Sequence, residues 1–85
     1  MTDNERTLYT CLKKFWATSR ERKYKFYRED GKEWLSTSID NMLKYTKLNK
    51  EELLNAFESL KADDRIDYKS RVYENRDFVT FSNNW

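Results

Sequence analysis

Apolar residues recur along this chain at two different spacings, and the switches between them mark out its elements. Leu8, Leu12, Phe15 and Trp16 fall on one stripe, with Tyr9 and Cys11 near its edges, the spacing of a helix with one buried face. Ahead of it, Thr2-Asp3-Asn4-Glu5 reads as a capping box, a hydroxyl followed three residues later by a carboxylate. A first helix from about Asp3 to Ser19 is predicted.

The period changes in RERKYKFYREDGKEWLS. Asp30-Gly31 suits a tight hairpin turn, because Gly readily takes positive φ. The flanks are Lys25 to Glu29 and Lys32 to Leu35. Such a turn sets Glu29 against Lys32, Arg28 against Glu33 and Tyr27 against Trp34, a favourable set of cross-strand pairs. The alternative is a first helix that runs on and ends at Gly31; the hairpin is preferred.

Ser36-Thr37 then offers a cap for a short second helix, about Thr37 to Tyr45, with Ile39, Met42 and Leu43 at helical spacing. Thr46-Lys47-Leu48 is a tight link without Pro or Gly. Asn49 caps a third helix, about Lys50 to Ala62, with Glu52 as its reciprocal partner and Leu53, Phe57 and Leu60 as its buried stripe. Beyond it, Ile66, Tyr68, Val72, Tyr73, Phe78, Val79 and Phe81 alternate with charged residues around the polar break Glu74-Asn75-Arg76-Asp77. That is a strand, a turn and a strand, with Lys69, Arg71 and Arg76 on the outward side.

Composition narrows what these elements can do. A chain of 85 residues is one domain, residues 1–85, with room for a single modest core. Only 38% of residues are hydrophobic, but aromatics make up 16%, and there is one Gly and no Pro. Disordered chains show the opposite balance, so a folded domain is expected. A lone cysteine, Cys11, excludes an intramolecular disulfide and suits a reducing interior; it is expected to act as a small buried hydrophobe. No apolar run approaches a membrane span and no signal peptide opens the sequence. A soluble, cytoplasmic protein is expected.

The chain has no His. Without His and with one Cys there is no N/S ligand set for zinc and no Ser–His or Cys–His pair. One Gly excludes a glycine-rich phosphate loop. No enzyme, cofactor or metal site is expected, and a binding module is. The net charge of +2 conceals an asymmetry: from Lys13 to Lys32 there are eight Lys/Arg against three acids, whereas from Glu33 onward eight bases meet ten acids. Concentrated basic charge is the footprint of a polyanion partner. Its densest part, Arg20, Arg22, Lys23, Lys25 and Arg28, is interleaved with Tyr24, Phe26 and Tyr27, a pattern that can track a backbone and stack on unpaired bases.

The stretch LSTSIDNMLKYTKLNKEELLNAFESLKADDRIDYKSRVYENRDFVTF resembles the winged helix-turn-helix superfamily along its whole length. The resemblance rests on Ser36 opening helix 2, Leu48-Asn49 turning into helix 3, and Leu53, Phe57 and Leu60 leading to Ile66. It is similar in particular to small phage and plasmid replication or regulatory proteins of that class. In one respect it departs: Asp63-Asp64 stands where the family usually has Gly. The resemblance implies an α+β fold of three helices, a short β segment or hairpin before helix 2, and a C-terminal hairpin wing. It further implies a DNA-binding regulator of transcription or replication whose helix 3 enters the major groove of double-stranded DNA while the wing meets adjacent backbone. A homodimer on two half-sites is expected.

Carried over residue by residue, that function places Asn55 and Ser59 toward base edges with Lys50 near them, and Lys44 and Lys47 where the backbone would lie. Lys69, Arg71 and Arg76 would supply the wing contacts. The Arg20, Arg22, Lys23, Lys25 and Arg28 segment would add further cations. The same face of helix 3 also carries Glu51 and Glu58, which repel phosphate. An alternative is therefore a protein-binding module, an adaptor or a phage-encoded inhibitor of a host protein, that uses the acidic face of helix 3.

Overall fold

The computed structural model describes residues 1–24 and 26–85; Lys25, one of the expected cationic contacts, lies outside them. In chain order the elements are α1 (Asp3–Glu21), β1 (Tyr27–Glu29), β2 (Lys32–Ser38), α2 (Ile39–Thr46), α3 (Lys50–Ala62), β3 (Ile66–Tyr73) and β4 (Arg76–Asn83). The strands form an antiparallel sheet in the order β1-β2-β4-β3. The fold is α+β, three helices laid on one face of this sheet.

Local chemistry sets most boundaries. Thr2 and Asn49 each accept a hydrogen bond from the backbone N–H three residues on, and their own backbone N–H groups donate to the Glu5 and Glu52 carboxylates, so α1 and α3 both start in complete capping boxes. α1 runs two residues beyond the expected Ser19. The β1–β2 register is the expected one, Tyr27 opposite Trp34, Arg28 opposite Glu33 and Glu29 opposite Lys32. Asp30 and Gly31 both take positive φ, 55° and 74°, as the two-residue turn demands.

Two expected boundaries are corrected. The cap of α2 is Ser38, not Ser36-Thr37: its hydroxyl accepts from the Asn41 N–H at 3.1 Å. Ser36 and Thr37 stay in the strand because β2 pairs with β4 through Ser38, with Thr37 opposite Val79 and Ser38 opposite Phe78. The break in the C-terminal hairpin is Glu74-Asn75 alone, both at positive φ, while Arg76 and Asp77 already pair with Tyr73 and Val72.

The core lies between helices and sheet. Leu8, Leu12 and Trp16 from α1 meet Ile39 and Met42 from α2, Leu53, Phe57 and Leu60 from α3, and Leu35, Ile66, Val79 and Phe81 from the sheet. Trp85 folds back, its ring edge-on to Tyr9 at 5.7 Å and to Trp16 at 5.9 Å. No described helix covers the far side of the sheet. There Trp34 is buried beneath Lys69, whose ammonium sits 4.6 Å from the ring centroid, and Lys32–Asp67 and Lys69–Glu29 ion pairs link the strands. No described helix is long and apolar enough to cross a membrane.

Candidate nucleic-acid interface

The expected contact residues fall into three regions. The first is the outer face of α3. Asn55, Glu51 and Glu58 are exposed and Ser59 is half-buried, opposite the Leu53–Phe57–Leu60 stripe as the helical period requires. Lys50, the cation expected beside them, points elsewhere: its ammonium donates to Asp77 Oδ2 of β4 at 2.8 Å, a bond that raises its pKa. The bond ties the first turn of α3 to the hairpin. At the other end of the helix, the Tyr68 hydroxyl donates to Glu58 and its ring lies 5.0 Å from Phe57. Burial first, and then this bond, push the Tyr68 phenol up to about 12. Among the described residues no cation stands free at the centre of this face.

The second region is the hairpin. Tyr68 faces α3, so alternation along the strand turns Lys69 and Arg71 to the opposite face of the sheet, and Arg76, opposite Tyr73, is on that side too. Lys69 is held by Glu29 at 3.3 Å and by Trp34. Arg71 and Arg76 are exposed near the tip and in no ion pair among the described residues. Arg71 also borders a hollow of about 360 Å³ between the hairpin and the start of α3, shared with Lys50, Leu54 and Asp77. Nearby, Lys47 turns the α2–α3 link in the left-handed conformation, φ 61°, its N–H donating to the Leu43 carbonyl at 2.9 Å. Its side chain is exposed.

The third region is the basic stretch after α1, which the structure takes apart. Arg20 is committed, bonded to Glu33 at 2.6 Å and stacked 4.1 Å over Phe26. Phe26 in turn packs edge-on against Trp16 at 4.8 Å. The Tyr27 hydroxyl is buried with no hydrogen-bond partner among the described residues. Two of the three aromatics expected to stack on bases are therefore structural. Arg28 lies exposed on β1 opposite Glu33, and Lys23 occupies an exposed turn at φ 59°.

Arg22 and Tyr24 go another way. They enter a groove of about 630 Å³ between α1 and α2, which Lys14, Thr18, Asn41 and Tyr45 also line. Among the described residues no carboxylate lines it. Arg22 donates to the Tyr24 hydroxyl at 3.5 Å, a bond that raises its pKa, with Glu21 and then Tyr45 acting in the same direction. On the groove wall, burial pushes the Cys11 thiol up while nearby Lys14 opposes it. Cys11 is thus half-buried rather than buried. Compared with models of protein families, with curated proteins and with solved structures, the chain matches none.

Asn41 and Tyr45 were not among the residues singled out from the sequence. One signal for Tyr45 was present: it lies off the Ile39–Met42–Leu43 stripe, on the polar side of a short helix where packing needs no aromatic ring.

Proposed function

We propose that the chain is a DNA-binding regulator of winged helix-turn-helix architecture. The observation that carries this reading is the pairing of β2, the strand before α2, with the second strand of the C-terminal hairpin. That pairing sets the hairpin beside the capped start of α3, close enough for Lys50 to reach Asp77 at 2.8 Å. A helix and a hairpin on one edge form the contact pair such a module lays on a duplex, helix in the groove and hairpin on the flank. Lys47 is exposed at the link into α3, and Arg71 and Arg76 are exposed near the hairpin tip on the sheet face turned away from α3; these are the cations that would meet phosphate. Asn55 can bond adenine, and Ser59 is permissive. Affinity would come from the flank and specificity, of modest strength, from the helix.

The test is duplex binding as a function of salt. Log affinity should fall linearly with log salt, and replacing Arg71 and Arg76 by Gln should flatten the slope by about 0.9 per lost phosphate contact. Absence of binding at low salt, or a slope untouched by these substitutions, would overturn the reading.

One observation favours a second reading. With Lys50 held by Asp77 and Glu51 and Glu58 exposed, the outer face of α3 is acidic, which suits a basic protein partner better than phosphate. Replacing Glu51 and Glu58 by Gln separates the two: duplex affinity holds or rises under the first reading, and capture of a protein partner weakens under the second.

A further inference from the structure

We propose that the groove between α1 and α2 is a second binding site, one that takes an unpaired segment of single-stranded nucleic acid. The site is separate from the α3 and hairpin edge, and its ligand is distinguished from a duplex by a free base face. Three observations support it. The groove's charged side chains among the described residues are both cationic, Lys14 and Arg22, with no acid in that lining. Two phenol rings stand at it largely uncovered, Tyr24 at 49% and Tyr45 at 65% exposure. Exposed rings of this size on a small domain are apolar surface left unburied, which marks a contact site when basic groups accompany them. Arg22 donates to the Tyr24 hydroxyl at 3.5 Å, so ring and cation can meet a base and its phosphate together.

The remaining groups add a base-edge contact. Asn41 donates one amide hydrogen to Thr37 Oγ1 at 3.3 Å, which fixes the side chain and leaves its carbonyl oxygen to accept from a base N–H. The spacing of the cations favours a strand over a lone nucleotide. Lys14 lies on α1 and Arg22 caps its C-terminal end, eight residues on and so about 12 Å further along the axis, far enough apart to meet separate phosphates rather than one. A duplex is excluded by chemistry: its bases are stacked on one another, whereas a single strand offers an open face to each ring.

The experiment uses the full chain and a fluorescein-labelled oligothymidylate of about ten nucleotides, a length within the range of one small single-strand site. Anisotropy at low salt should show saturable binding. Tyr24→Ala and Tyr45→Ala should each weaken it about tenfold, the usual scale for losing one stacked base, while Tyr45→Phe should retain it. Lys14→Gln should weaken it and flatten the salt dependence by about 0.7 in log–log slope. Both phenols are exposed, so unchanged melting curves will separate lost contact from lost fold.

Equal binding of an abasic oligodeoxyribose phosphate would overturn the proposal, since it would leave no part for the rings. Wild-type affinity in Tyr45→Ala would overturn it too. Thymidine monophosphate competing at the same concentration as the oligomer would overturn the strand assignment in favour of a free nucleotide. Arg71→Gln with Arg76→Gln should leave single-strand affinity unchanged, which keeps this result independent of the duplex experiment.

Discussion

The outer face of α3 and the groove between α1 and α2 are built from similar amounts of charge but differ in what is left over. On α3, the nearby cation is consumed by Asp77 and the carboxylates remain exposed. In the groove, phenols and an amide stand beside the cations and no carboxylate is among the described lining residues, although Glu21 acts on Arg22 from outside it. Location of a basic residue therefore says less about binding than whether its charge has already been answered. The chain as a whole is nearly neutral, yet one side of it can attract a polyanion and another can repel one.

The largest effect expected is on stability, and it tests whether α3 is first a structural wall. Phe57 is wholly buried against Tyr68, and Phe57→Ala should cost about 3–5 kcal/mol in urea unfolding. Asn55→Ala, on the opposite side of the same helix, should stay within about 0.5 kcal/mol. A small loss at Phe57 would break the picture of a helix with one committed side.

Next in size is a contrast of sign. Lys14→Gln together with Arg22→Gln should weaken single-strand binding at least about tenfold, or roughly 1.4 kcal/mol, whereas Glu51→Gln with Glu58→Gln should weaken no nucleic-acid binding. Fluorescence anisotropy at fixed low salt measures both. If the two pairs move affinity in the same direction, the division between the surfaces fails.

A smaller effect is in alkali. The folded-state phenol of Tyr68 titrates near 12, above the ordinary value of 10.0, because burial and the bond to Glu58 favour its neutral form. The unfolded chain then loses this proton first, so the contribution is complete below pH 10 and is lost as pH rises toward 12. Tyr68→Phe should remove that slope from a stability-versus-pH curve, and an unchanged slope would refute the assignment. Smallest of all, Tyr27→Phe should be neutral or slightly stabilising, because it deletes a buried hydroxyl that lacks a partner among the described residues. Oligothymidylate binding should not change. A loss of affinity there would return Tyr27 to the binding surface and blur the contrast with Tyr24.

Much of the frame was legible in the sequence because its signals are local. Thr2 with Glu5 and Asn49 with Glu52 specify helix starts within four residues, and Asp30-Gly31 with its flanks specifies a register. The start of α2 was misplaced for a non-local reason: Thr37 is held in β2 by Val79, far along the chain. The same limit governed the candidate contacts. Nothing beside Lys50 in sequence reveals that Asp77 will bond it, and nothing near Phe26 and Tyr27 shows that packing will take them while leaving Tyr24 free. Charge and aromaticity can be counted along a chain, but their availability depends on which distant residues come to meet them.

The corners of the fold have a consequence of their own. Lys23, Asp30, Lys47, Asp64, Glu74 and Asn75 all turn the backbone at φ between 50° and 63°, in a region that costs a side-chain-bearing residue about 1–2 kcal/mol. Asp64 holds the bend just ahead of β3 without the freedom of glycine. A chain that spends conformational comfort at so many bends has headroom: glycine at corners such as Asp64 and Glu74 should raise its melting temperature, at the expense of one exposed carboxylate each. Such a domain is well suited to acquire costly new contacts, because the means to offset their instability already lie in its turns.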